Sequence, residues 1–191
     1  MTDEARTQAL AEIAFCESIL AKGGQSVLSE TLAGVTSLSA FAHYPEGDVY
    51  DPASQAQWYY HCHPAEEGVA EHGHFHCFVR PDGPKGPIHH LVAVGVDAQG
   101  RLLRLFTVNQ WVVGDDWLAA EHLVPLLRRF DMQMPQPNYL VNRWLTAVLV
   151  AYEAEITGLI EARDRALAAH GGGDAVRNDR ALEVLSEHVI N

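Results

Sequence analysis

The sequence predicts an α+β fold: a four-stranded antiparallel meander flanked by N-terminal and C-terminal helices, one C-terminal helix being long. Three observations predict it. Apolar residues recur at helical spacing before residue 43 and after residue 113; between them the period shortens to two over four β-rich runs; and short segments carrying Gly, Pro or Asp separate those runs. Helix, then strand, then helix places helices on one sheet face. The 191 residues suit one domain, mainly helical over 1–42, loop and sheet over 43–112, and helical over 113–191.

From Thr2 to Lys22, Leu10, Ile13, Ala14, Ile19 and Leu20 form a helical stripe that starts among acids and stops at Gly23-Gly24. SVLSETLAGVTSLSAFAHY, residues 26–44, reads as a helix broken near Gly34. HYPEGDVYDPAS, residues 43–54, has two prolines, a glycine and three acids, and reads as an ordered loop. QWYYHCH, EHGHFHCFVR, HHLVAVGV and RLLRLFTVNQWV are the four strands. DDWLAAEHLVPLLRRF follows as one or two short helices divided by Pro125. A long helix spans Tyr139 to Ala169 on the stripe Leu140, Trp144, Val148, Tyr152, Ile156 and Leu159, and ends at the glycines 171–173. A last short helix is expected near Arg180 to His188.

Lys plus Arg number 13 against 25 Asp plus Glu, for a net charge of -12. That balance opposes nucleic-acid backbones and anionic lipid. Cys16, Cys62 and Cys77 are odd in number and form no CxxC pair, and the opening MTDEARTQAL lacks the basic start and apolar run of a signal peptide. The expectation is a cytoplasmic protein, with no nucleic acid or membrane partner, acting on a small-molecule substrate or a metal ion, with a homodimer left open.

Eleven histidines are present, and His72, His74 and His76 occupy alternate positions of one strand. Alternate side chains share a face. The preceding strand splits the same way, with Trp58, Tyr60 and Cys62 apolar and Tyr59, His61 and His63 polar. If Trp58, Tyr60 and Cys62 pair with Cys77, Phe75 and Gly73 in a hairpin, paired position numbers add to 135, which sets His61 opposite His74, Tyr59 opposite His76 and His63 opposite His72; a sum of 137 instead pairs His63 with His74 and His61 with His76 and keeps the cluster. The imidazoles then stand at corners roughly 5 Å apart across the strands and about 7 Å along them, near enough to share one ion. Protonating several at this spacing is unfavourable without a metal. Candidate metal ligands are therefore His61, His63, His72, His74 and His76.

Imidazole ligands suit zinc, iron or copper, and the lack of paired cysteines opposes a zinc finger or an iron–sulfur cluster. One transition-metal ion is expected. Glu71 and Asp48 are the favoured ligand, second-sphere or acid–base groups, from loops that also hold Glu66, Glu67, His43, Glu46 and Asp51. Tyr59 can donate a hydrogen bond or cap the pocket. His89 and His90 open the third strand, and alternation puts one of them on the histidine face. Neither a phosphate loop, a Glu-x-x-His di-iron motif nor a G-x-S-x-G elbow is present. Cys62 and Cys77 face the apolar side as core thiols.

HYPEGDVYD, YYHCH, EHGHFHCFVR and FTVNQWV together resemble a bacterial protein family of unknown function that spans most of the chain. HGHFH is also similar, over a few residues, to the strand His-x-His of α-type carbonic anhydrases, which implies geometry only. The functional expectation is a metal-dependent enzyme acting on a small molecule through metal-activated water or oxygen chemistry. The alternatives are a non-catalytic metal-binding or sensing protein, and a small-molecule binder with a metal-free histidine network.

Overall fold

Strand β2, Ala56–Cys62, pairs with β3, Glu71–Val79, in the first of the two face-matching registers: Trp58 opposite Cys77, Tyr60 opposite Phe75 and Cys62 opposite Gly73. The computed structural model describes residues 2–64 and 68–190. The meander continues through β4, His89–Asp97, and β5, Leu102–Val108, as expected. It is longer than expected at both edges. Tyr44–Tyr50 forms β1 beside β2, and Val184–Val189 forms β6 beside β5, so the sheet has six antiparallel strands in sequence order, not four.

Both corrections concern edge strands. Pro45 sits near the start of β1, where a missing N–H costs no central ladder bond. Gly47 and Asp48 both take positive φ, and the register slips between Tyr44 and Val49. The segment expected as a helix near Arg180 to His188 is instead drawn onto β5, with the Thr107 and Ser186 hydroxyls in contact across the pair. Sheet pairing overrides a weak local preference.

The helices lie where the apolar periodicity puts them. Helix α1, Asp3–Lys22, is capped by Thr2, and the capping box of Ser26 starts α2, Val27–Thr31. The rest of the expected second helix is not helical. Helix α3, Gln110–Val113, follows β5; α4, Ala120–Leu123, runs into a 3-10 turn over Val124–Arg129, with Pro125 dividing them. The predicted long helix is two, α5 (Tyr139–Ala151) and α6 (Glu153–His170), because Tyr152 leaves helical geometry at φ -111°.

One face of the sheet is the core. Trp58, Tyr60, Phe75, Cys77, Val92, Val94 and Leu105 pack on Cys16, Leu20, Trp144, Leu145, Val148 and Ile156 from the helices. The buried Trp58 indole donates to Asn142 Oδ1 at 2.8 Å, which ties β2 to α5. On the opposite face Ala93, Phe106 and Val108 pack with Val112 and Val113 of α3, leaving the histidines of β2 and β3 beside them. Cys16, Cys62 and Cys77 are free and buried. No helix among the described residues is long and apolar enough to cross a membrane.

Candidate metal centre

The β2–β3 ladder places His61 opposite His74 and Tyr59 opposite His76. The three rings of His61, His74 and His76 converge, with centroids 4.5, 4.9 and 4.8 Å apart. Each offers a nitrogen within 4.8 Å of the others', so the group could hold a metal ion. His61 Nε2 and His74 Nε2 stand 2.8 Å apart. Bonds of 2.0–2.1 Å at tetrahedral angles need a separation of roughly 3.3 Å, so small ring rotations suffice.

Interruptions of the β3–β4 ladder complete the surroundings. Glu71 pairs with Asp97 but Gly73 with Val96, so His72 is the extra residue of a bulge. The bulge corrects one expectation: His72 leaves the histidine face and its Nδ1 lies 2.6 Å from Tyr60 Oη on the apolar side. Glu71 takes the vacated place, and its Oε1 accepts a hydrogen bond from His74 Nδ1 at 2.8 Å. Its Oε2 meets Arg104 of β5. Gly95, opposite His74, leaves the necessary space, because a Cβ there would collide with the Glu71 carboxylate.

The second interruption is at the other end. Cys77 pairs with Val92 but Phe78 with His90, so Leu91 turns into the core and His90 reaches the histidine face. His90 Nε2 lies 3.0 Å from His76 Nδ1. Its backbone N–H donates to buried Asp115 Oδ2. Sequence reasoning placed one of His89 and His90 on this face without choosing; the bulge chooses His90, and His89 instead bonds the Asp116 carbonyl.

These partners set the tautomers. His74 Nδ1–H donates to Glu71, which leaves a lone pair on Nε2. His76 Nδ1 and His90 Nε2 share a hydrogen bond, and with the proton on His76 Nδ1 its Nε2 also keeps a lone pair. That nitrogen is fully buried and has no hydrogen-bond partner. Buried polar atoms without partners are rare, and this one belongs to a ring packed against both His61 and His74.

Electrostatics keeps the rings neutral. Burial, then the neighbouring His74 and His63, lowers the His61 pKa to about 3. Burial and the adjacent histidines lower His76 well below the usual imidazole value, and His74 falls as well despite the opposing pull of Glu71. His90 is lowered to about 3 by burial and by Arg163. Burial would raise the Glu71 carboxyl, but bonds from His74 and Arg104 outweigh it and hold it below its usual range. A cluster of neutral imidazoles beside an ionised carboxylate is the protonation state a cation requires.

Other expected residues lie around the trio. His63 is exposed, outside the converging three, with its ring 5.2 Å from both His61 and His74. Tyr59 is buried 5.1 Å from the His76 ring and stacks on His43 at 3.6 Å, and burial pushes its hydroxyl pKa up. Asp48, held at φ 57°, accepts from His43 Nδ1 at 2.9 Å and from Gln57 Nε2 at 2.7 Å. Asp51 is buried away from this face and accepts from the Gln133 and Ala53 amides. Glu66 and Glu67 lie outside the described residues.

A cleft of about 610 Å³ lies next to the cluster, lined not by the trio but by its neighbours His63 and Glu71, by His72 and Arg104, and by apolar Leu38, Ala40, Val69 and Ala98. A larger hollow of about 730 Å³ lies between α1, α5 and the 3-10 turn, with no histidine in its lining. Volume alone does not make it the site; the convergent polar groups stand at the smaller cleft.

Residues 7–190 match the family described as a domain of unknown function (DUF6969), and the chain belongs to that family. No curated protein and no solved structure matches it.

Proposed function

We propose that this chain is a metal-dependent enzyme in which His61, His74 and His76 hold one zinc, iron or copper ion through Nε2, and the ion acts on a small molecule from the adjacent cleft. The observation that carries this reading is the convergence of three buried imidazoles, each with a nitrogen within 4.8 Å of the others', in a cluster where His76 Nε2 has no hydrogen-bond partner. Three protein ligands leave a position for substrate or water, whereas structural sites are closed by four. A bound ion supplies Lewis acidity, or oxygen chemistry if it is iron or copper.

The surrounding residues then have definable work. Glu71 fixes the His74 ring and its tautomer, and His90 does the same for His76. Tyr59 walls the site between His61 and His76, and Asp48 holds His43 against the outer face of that wall. The cleft volume of about 610 Å³ falls within the range usual for small-molecule sites.

Elemental analysis of protein purified without an affinity tag or chelator tests the reading. Wild type should carry about one ion per chain, and a His61→Ala/His74→Ala variant none, with the circular dichroism spectrum retained. Absence of metal in wild type, with no uptake on reconstitution with zinc, iron(II) or copper(II), would sink it in favour of a metal-free histidine network.

A further inference from the structure

We infer that the open position of this metal takes a carboxylate-bearing small molecule, which approaches from the His63 side; the inference rests on the metal reading above. The argument is one of charge. Imidazoles are neutral ligands, so a divalent ion keeps its full charge at a place where His76 is wholly buried and His74 and His61 nearly so. Buried charge without a counterion is costly.

Among the described residues, no carboxylate bonds His61 or His76. Among the described residues, the carboxylate that touches a ring of the trio is Glu71, on Nδ1 of His74, and Arg104 offsets its charge. Asp48 lies beyond Tyr59 with both oxygens engaged by His43 and Gln57. The same Arg104 guanidinium lies 4.2 Å over the Phe106 ring, which packs against His74. An anionic ligand supplies the remaining charge.

His63 marks the approach. It is exposed at the cleft, its ring touches Phe41, His61 and His74, and it makes no hydrogen bond within the described residues. A two-oxygen anion can place one oxygen on the ion and let the other accept from His63. The cleft wall is mostly apolar, from Leu38, Ala40, Val69 and Ala98, and its arginine is already paired. That lining suits a carboxylate on an apolar body; a phosphate dianion needs more donors.

Cobalt(II)-loaded protein gives a readout independent of any assay. Titration with butyrate should shift the cobalt visible bands saturably, while n-butanol leaves them unmoved. His63→Ala should bind cobalt at the wild-type ratio but hold butyrate about tenfold more weakly, as expected for a lost hydrogen bond to a charged group. Bands that butyrate does not move overturn the inference and leave the metal site standing. Equal butyrate affinity in His63→Ala overturns its placement on the His63 side. Failure to take up cobalt overturns the metal reading beneath it.

Discussion

The two ladders that share β3 are built differently. Against β2, seven consecutive pairs from Ala56–Val79 to Cys62–Gly73 run without interruption; against β4, the register slips at both ends. The regular ladder places His61, His74 and His76. The irregular one places Glu71 and His90, the groups that fix how the rings of His74 and His76 are turned. With strict alternation across β4, His72 and Leu91 would face the trio, and Glu71 and His90 would face the core. Regular pairing thus assembles the nitrogens, and the bulges supply the orientation.

The comparison breaks most visibly at Glu71. Glu71→Ala removes the acceptor on His74 Nδ1, frees the ring and its tautomer, and leaves Arg104 beside the cluster paired with the exposed Glu187. Loss of such an outer partner costs about 10–100-fold in metal affinity. Chelator competition should show a decrease of that size with stoichiometry kept at saturating metal. Unchanged affinity would mean that the ladder alone positions His74.

His90→Leu should have a smaller effect. It removes the acceptor for His76 Nδ1–H but keeps an apolar filling beside Phe78, and His76 stays hemmed in by Tyr59, His61 and His74. The expected loss of metal affinity is about tenfold, the low end for an outer partner, read by the same competition. A loss as large as that of Glu71→Ala would show that the two bulges contribute equally.

The contrast also explains what was legible in the sequence. The β2–β3 register could be narrowed because two strands with the same apolar and polar split match only when the paired numbers have an odd sum; of two such sums, 135 and 137, the structure has 135, which carries the trio with it. A bulge leaves no such signature: nothing in EHGHFH says that His72 is the extra residue, and nothing in HHLV says that Leu91 turns inward. Edge strands were hidden for a related reason. HYPEGDVYD has turn composition, and VLSEHV is half exposed and weakly patterned, so only β2 and β5 beside them make either a strand. The break at Tyr152 comes without Gly or Pro, and tertiary packing sets it.

The smallest effect should come from the residue that the bulge expels. His72 sits at the start of the histidine run, yet its ring faces Tyr60, with Nδ1 2.6 Å from the buried phenol oxygen. His72→Ala should therefore leave metal affinity and stoichiometry at wild-type values. It should instead lower stability by about 1 kcal/mol, the net worth of one hydrogen bond to a hydroxyl that is left without its partner. Urea denaturation of the metal-free protein reads that loss separately from binding. The opposite pattern, in which metal weakens and the denaturation midpoint stays fixed, would place His72 back on the histidine face and remove the bulge from the account of this site.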